Sequence, residues 1–220
     1  MSADDPMKAY YAARAPYYDD VYDKPERRED IAFLRDHLPA AFAERTVLEV
    51  ACGTGYWTQF IAPAAAAMTA TDAVAEPLDF ARLRPHAGNV RFLLADAYAL
   101  PADLGLFDGA FAGLWFSHVP VESRTSFFRS LHARLQAGAR VILIDNSEVQ
   151  CRELPIVERD TAGNTYQLRQ LRDGSHHRVL KNFPSEDELA ALIAPVATEY
   201  HFRILDNFWL VEYQIGTAPK

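Results

Sequence analysis

The sequence predicts an α/β fold: a doubly wound, mostly parallel sheet of seven strands with helices on both faces, an antiparallel final strand and a small β-hairpin insertion. Two observations carry this prediction. Strand-like apolar runs alternate with helix-like segments between about residues 26 and 145, which is typical of parallel strands joined by right-handed crossovers. After residue 146 the pattern changes to pairs of alternating strands, which predicts an antiparallel sheet edge and an insertion.

The individual elements follow from apolar periodicity and from turn residues. Ser185 and Glu188 stand three residues apart and predict a capping box at the start of the last helix. Helices are predicted over 26–38, 58–68 (broken at Pro63), 76–85, 122–138 (closed by Gly138) and 184–195. Strands are predicted over 46–50, 68–73, 89–97, 107–116 and 139–146, as a hairpin in 165–182 around Asp173-Gly174, and as a pair in 199–216 turning at Asp206-Asn207.

Composition and charge exclude several classes of function. The chain has 220 residues and a formal net charge of −8, which disfavours a nucleic-acid partner because such binding depends on Lys and Arg. No apolar run is long enough to span a membrane, and the first residues lack the pattern of an export signal. Two cysteines, Cys52 and Cys151, are too few for a disulfide framework. We therefore expect a cytoplasmic protein that folds as one domain over residues 1–220.

The stretch VLEVACGTGYWT at 47–58 raises the central question of the sequence, because a glycine-rich turn follows a buried strand. A dinucleotide turn needs a third glycine, but Thr58 stands at the required place after Gly53 and Gly55. No Lys-Ser/Thr pair follows, so a phosphate cradle is also disfavoured. Glycines let a ligand approach the backbone, a helix N-terminus suits a carboxylate, and Glu49 could balance a cationic group. The loop therefore predicts a zwitterionic, amino-acid-like ligand.

These residues resemble motif I of the class I S-adenosylmethionine-dependent methyltransferases, with Ala51 in place of the first glycine. Later strand ends match in order: Asp72 resembles the ribose-binding acid, Asp96-Ala97 the adenine-reading pair, and FDGAFAGLWFSHV the fourth-strand motif. The resemblance implies a Rossmann-like fold and S-adenosyl-L-methionine as cofactor, with S-adenosyl-L-homocysteine as product. The cofactor-binding residues it implies are Glu49, Ala51, Gly53, Gly55, Trp57, Asp72, Ala73, Asp96, Ala97, Gly113 and Leu114.

Each of these residues also has a plainer interpretation. Glu49 could be a strand-end charge in solvent, although a carboxylate inside VLEVA needs a partner. Asp72 could cap the following helix, and Asp96 could cap a turn. Cys52 has no adjacent base in sequence, so we expect it to pack in the interior rather than act as a nucleophile. No metal site is predicted, because His176 and His177 are adjacent in a strand and point to opposite faces.

The acceptor side of the site is predicted from two variable segments. Residues 1–25 resemble the tyrosine-containing lid of small-molecule methyltransferases, and residues 147–183 form a substrate-side insertion. His118 follows the fourth strand and could accept a proton from the acceptor; alternatively it is a loop histidine bound to backbone. Arg169, Arg172 and Arg178 of the insertion could be solvated, or could meet an anionic substrate or a second subunit. The predicted substrate-binding residues are Tyr11, Tyr18, Trp115, Phe116, Tyr166 and Arg169.

The sequence thus predicts methyl transfer to a small-molecule acceptor through an O, N or S nucleophile. Alternatives are a protein or lipid head-group methyltransferase, and a cofactor-binding partner or sensor that has lost turnover. The fourth strand ends in GLWFSH without the Asn/Asp-Pro-Pro-aromatic tetrad of enzymes that methylate flipped bases. Both a monomer and a homodimer are compatible with the sequence.

Overall fold

The computed structural model describes residues 6–216. The described chain folds into ten strands, six α-helices and short 3₁₀ turns. The strands are β1 (Thr46–Val50), β2 (Ala67–Asp72), β3 (Val90–Leu94), β4 (Phe107–Gly113), β5 (Leu135–Asn146), β6 (Ile156–Arg159), β7 (Thr165–Gln170), β8 (His176–Leu180), β9 (Ala197–Ile204) and β10 (Phe208–Ile215). The α-helices are α1 (Pro6–Arg14), α2 (Arg28–Ala41), α3 (Thr58–Ile61), α4 (Ala75–Ala81), α5 (Arg124–His132) and α6 (Glu186–Ile193).

Seven strands form one sheet in the order β3-β2-β1-β4-β5-β10-β9. The first five run parallel, and β10 is antiparallel to both β5 and β9. The chain builds outward from β1 to β3 and then crosses back to β4, so the direction of winding reverses between β1 and β4. Ligands of open α/β sheets bind at the carboxyl ends of the strands at such a reversal. The predicted Rossmann-like fold class is confirmed.

Both faces of the sheet are buried, which explains the continuous apolar run of β1. Val47 and Leu48 are each fully buried, and as neighbours in a strand they point to opposite faces. Leu48 packs in a cluster with side chains of α5 and α6, whereas Val47 packs in a cluster with side chains of α2 and α3. Within residues 6–216, no helix combines the length and apolar character needed to cross a bilayer.

A second, three-stranded antiparallel sheet consists of β6, β7 and β8. Its β7–β8 hairpin is the predicted one, and β6 adds a strand that the sequence pattern does not reveal. Tyr10 of α1 packs against Leu171 and Val179 in a small apolar cluster. The N-terminal helix and the insertion therefore form one continuous cover beside the main sheet.

Two predicted helix boundaries are wrong. The helix predicted to close at Gly138 ends at His132, because the chain resumes pairing with β4 at Leu135. Gly138 lies inside β5 with φ +79°, where the register with β4 shifts, as at a β-bulge. The helix predicted over 58–68 is the single turn α3. In contrast, the capping box of Ser185 and Glu188 is present as predicted.

Candidate active site

A cavity of about 310 Å³ opens at the carboxyl ends of β1 to β4, under α1 and the 3₁₀ segment that follows it. It lies at the reversal of the sheet, where the sequence predicts the ligand. The predicted residues that line it are Tyr11, Tyr18, Ala51, Gly53, Asp72, Ala73, Asp96, Ala97, Gly113, Leu114, Trp115, His118 and Tyr166. Side chains from all four strand ends and from both variable segments thus meet around one space.

The loop after β1 brings backbone rather than side chains to the cavity. Ala51, Gly53 and Gly55 all have positive φ, at 54°, 56° and 74°. A Cβ on Gly53 would meet no protein atom within 4 Å, so it would project into open space. The Gly53 N–H donates to Asp72 Oδ2 at 2.8 Å, and the Val74 N–H donates to Oδ1 at 2.9 Å. Asp72 therefore holds the first two strand-end loops together and still has free lone pairs for a ligand.

Glu49 does not line the cavity, contrary to the expected contact with a cationic ligand group. Its side chain is 1% exposed, and its Oε2 accepts a hydrogen bond from Thr58 Oγ1 at 2.6 Å. Burial raises the pKa of Glu49 to about 8, so the carboxyl is largely neutral at pH 7. Glu49 fixes α3 against β1 from beneath the loop.

Gly55 and Trp57 are also absent from the cavity wall, and both act in packing. A Cβ on Gly55 would lie 2.9 Å from the Cβ of Ala81 in α4, so only glycine fits there. Trp57 is 2% exposed, and a Cβ on Gly113 would lie 2.9 Å from its ring. Gly55 and Trp57 thus shape the loop and the end of β4 without lining the cavity.

Asp96 and Ala97 lie on the cavity wall after β3, as predicted. The Tyr98 N–H donates to Asp96 Oδ1 at 2.9 Å, which holds the carboxylate at the start of its turn. The turn-capping interpretation of Asp96 is therefore correct, and the capped carboxylate lies on the cavity wall. Cys52 is buried beside Ala70, in line with a packing role.

His118 lies on the cavity wall, and its hydrogen bonds fix its protonation pattern. Its Nδ1 is 2.6 Å from the Leu180 carbonyl oxygen, which can only accept, so Nδ1 carries the proton. Nε2 of the neutral ring is then an acceptor, and it receives the Tyr11 hydroxyl at 2.7 Å. Burial, together with Lys181 and Arg169, holds the pKa of His118 well below its usual value. The imidazole ring of His118 is thus neutral at physiological pH, and its Nε2 is a hydrogen-bond acceptor.

Two predicted substrate residues lie elsewhere. Phe116 is 1% exposed and packs in the apolar core against α5, because the short turn of residues 116–118 directs it inward. Arg169 faces a second chamber of about 100 Å³. Tyr11, Tyr18, Leu114 and His118 line both spaces, so they form the boundary between them.

The cover over the cavity is attached at two places. Asp19 accepts a hydrogen bond from Thr54 Oγ1 at 2.7 Å and pairs with Arg84, which connects the segment after α1 to the glycine loop and to the turn after α4. Arg172 pairs with Asp20 at 2.7 Å, which connects the same segment to the hairpin turn. Both contacts hold the N-terminal tyrosines above the strand ends.

Several wall residues were not predicted. Thr54 stands between the two glycines of the loop and could have been included for that reason. Pro77 and Tyr98 follow strand ends, which is a sequence signal of the same kind. In contrast, Lys8 and Leu180 carry no sequence signal, because only the packing of α1 on β8 brings them to the cavity.

The fold and the cavity together resemble those of class I methyltransferases. Residues 47–138 match a family model described as a methyltransferase domain. The resemblance predicted from the sequence is thereby confirmed, and this chain carries a methyltransferase domain.

Solved structures support the same class. A structure described as a complex of DhpI with SAH is 27% identical, with a TM-score of 0.78 over 96% of each chain. A complex described as DhpI-SAM-HEP is also 27% identical, with a TM-score of 0.76 over 95% of this chain and 96% of that chain. The N-methyltransferase NodS from Bradyrhizobium japonicum WM9 with S-adenosyl-L-homocysteine is 15% identical, with a TM-score of 0.69 over 97% and 100%, and shares the fold. No curated protein matches the sequence.

Proposed function

We propose that this protein transfers the methyl group of S-adenosylmethionine to a small-molecule acceptor held beside His118. S-adenosylmethionine is the cofactor, in agreement with the sequence prediction and with the SAM and SAH complexes of the neighbours. The observation that carries the proposal is the continuity of one cavity, which has acidic strand ends on one side and Tyr11 and His118 on the other.

The residues present fit this cofactor. The space beside Gly53 would be filled by any Cβ, which suits a ligand lying against the backbone. We assign Asp72 to the ribose hydroxyls, because a carboxylate can accept from both. Asp96 and Ala97 are assigned to the adenine, and the Gly113–Leu114 turn to the methionine portion. These roles follow the family resemblance, and the common location of the residues supports them.

S-adenosylmethionine supplies, when bound, a methyl group that is already activated by the sulfonium. The protein residues therefore act mainly by positioning, which can contribute about 7–11 kcal/mol when it is well oriented. Tyr11, Tyr18 and Trp115 cover the acceptor side and exclude water. The unprotonated Nε2 of His118 holds the Tyr11 hydroxyl, and it would accept a proton from a hydroxyl, amine or thiol of the methyl acceptor that displaces this hydroxyl.

A small acceptor is favoured because the space beside His118 lies under a cover. The N-terminal segment and the three-stranded sheet meet over it, so a protein side chain or lipid head group would first have to displace this cover. The DhpI complex that contains both SAM and HEP supports a site that holds a second ligand in addition to the cofactor.

The proposal is tested first by calorimetric titration with S-adenosylhomocysteine and with NAD. We expect binding of the former and none of the latter. Asp72→Asn should weaken binding, whereas Asp79→Asn, at an exposed position on α4, serves as the matched control.

The second test is incubation with S-adenosylmethionine and a small-molecule acceptor library, with released S-adenosylhomocysteine as the measured product. Turnover of at least one small acceptor is the expected result. Tight cofactor binding with no turnover of any acceptor would instead favour a sensor, and turnover of protein substrates alone would contradict the small-molecule proposal.

A further inference from the structure

The second chamber, beyond the boundary formed by Tyr11, Tyr18, Leu114 and His118, is lined by an excess of cations. Its volume is about 100 Å³, the space of about three water molecules. One carboxylate, Glu153, faces five cationic residues across this small space. The cationic residues that line it are Arg14, Lys24, Arg27, Arg169 and Lys181.

Two of these cations are neutralised by protein carboxylates. Lys181 pairs with the fully buried Asp145 at 2.8 Å, and Lys24 pairs with Glu153. In contrast, no ion pair within residues 6–216 involves Arg14, Arg27 or Arg169. The chamber thus contains three guanidinium groups that make no ion pair in the described chain, although Glu153 and Glu26 act on Arg27 at longer range.

Two of these guanidinium groups are buried, which makes the excess charge costly. Arg27 is 5% exposed, and its Nε is buried without a hydrogen-bond partner. Arg169 is 6% exposed, and its Nε and Nη2 both donate to the neutral Gln167 Oε1, at 3.2 and 2.8 Å. Burial of a charge without a counter-charge is unfavourable unless a ligand supplies one.

The positive potential of the chamber reaches the proposed acceptor site. Burial is the main cause that lowers the pKa of His118, and Lys181 and Arg169 add to it. His118 and Tyr11 belong to both spaces, so a molecule that fills the chamber extends toward the proposed methyl acceptor position.

We propose that the second chamber binds the anionic group of the methyl acceptor, so that the substrate is a small molecule with a carboxylate or phosphate-type group. Arg27 and Arg169 would hold this group, since guanidinium groups match oxyanions by paired hydrogen bonds. The volume admits such a group but no nucleotide or peptide. This inference rests on the proposed methyltransferase function.

The test uses the full chain saturated with S-adenosylhomocysteine and titrated with sodium phosphate or sodium acetate, against sodium chloride at equal ionic strength. We expect one of the two anions to bind by calorimetry. Arg169→Met and Arg27→Met should each weaken that binding at least tenfold. Arg159→Met, at an exposed position of the same small sheet, should not. Tighter phosphate binding assigns a tetrahedral oxyanion, and tighter acetate binding assigns a carboxylate.

Two controls separate the failure of this inference from the failure of the proposed function. Unchanged S-adenosylhomocysteine binding in Arg169→Met shows that the variant is folded, and Arg169→Lys should retain part of the anion affinity. The acceptor library is arranged as pairs of an acid and its neutral amide, and we expect methylation of acids alone. The inference would be overturned if neither anion bound, if Arg159→Met lost as much anion affinity as Arg169→Met, or if the amides were methylated in preference to the acids. Methylation of a neutral molecule would still leave the proposed function intact.

Discussion

The two chambers of the site differ in charge and in the way they are built. The larger one, at the ends of β1 to β4, contains the carboxylates Asp72 and Asp96 and the backbone of the glycine loop. The smaller one contains unpaired guanidinium groups, such as Arg27 and Arg169, from the segment before α2 and from the small sheet. The parallel sheet thus supplies the acidic side of the site, whereas the basic side comes from the variable segments and from Arg27, just before α2.

This difference indicates how the two ligands are distinguished. A cationic, hydroxyl-rich cofactor suits acids placed at strand ends, whereas an anionic acceptor suits the Arg-lined chamber. Tyr11 and His118 lie between the two chambers, at the boundary where the cofactor and the methyl acceptor would meet. The predictions below test this division, in order of decreasing expected effect.

The largest effect concerns Glu49. Its side chain is buried beneath the larger chamber and does not line it. Its pKa is raised from 4.5 to about 8, so the folded state keeps a proton that the unfolded chain has released between these values. The free energy of unfolding should therefore fall as pH rises from about 4.5 to 8, by up to about 5 kcal/mol, since each pKa unit is worth about 1.4 kcal/mol. Glu49→Gln should remove this decline in denaturant unfolding at pH 5 and pH 9.

The matched control for this experiment is Glu29→Gln, at an exposed position in the first turn of α2. It should keep the wild-type pH dependence. If the free energy of unfolding of Glu49→Gln declined with pH as it does in the wild type, another group would be titrating. The raised pKa of the buried Glu49 would then be contradicted.

The next effect concerns His118 at the boundary. If His118 takes the proton from the methyl acceptor, His118→Asn should lower kcat by about 100-fold or more. Because its pKa lies well below the usual value, the wild-type rate should stay flat between pH 8 and pH 6. Tyr11→Phe removes the hydroxyl that donates to Nε2 and should change KM more than kcat. Turnover by His118→Asn at the wild-type rate across this pH range would exclude the role of base.

Asp72 tests the acidic side alone. Asp72→Ala should weaken S-adenosylhomocysteine binding by about 1–3 kcal/mol through loss of charge-assisted hydrogen bonds. Anion binding in the second chamber should change far less, because Asp72 does not line it. Equal loss of both affinities in calorimetry would mean that the two chambers are not separate sites.

The smallest effect concerns the loop backbone. Ala51 has φ +54°, a conformation that costs a residue with a Cβ roughly 1 kcal/mol. Ala51→Gly should therefore raise the free energy of unfolding by up to about 1 kcal/mol. The opposite change, Gly53→Ala at φ +56°, should lower it by a similar amount and also reduce cofactor binding, because its Cβ projects into the cavity. Thermal unfolding of both variants tests these two predictions. A Gly53→Ala variant more stable than the wild type would contradict the second one.

The sequence alone determined the fold and the acidic side of the site. Alternating strands and helices imply a parallel sheet, and the carboxyl ends of parallel strands meet at one edge. Gly53, Asp72 and Asp96 each follow such a strand, so their common location could be predicted without coordinates. The helix closed at Gly138 was misplaced because a glycine with positive φ serves a helix end and a β-bulge equally well.

Only the tertiary structure decided the direction of side chains and the partners of charges. Glu49 and Trp57 belong to the predicted motif, yet packing directs both away from the cavity. Arg169 and Arg172 lie three residues apart in the insertion, but one is buried at the second chamber and the other pairs with Asp20 at the surface. The pairing of Arg172 with Asp20 joins residues 152 positions apart, and local sequence patterns do not encode such a contact.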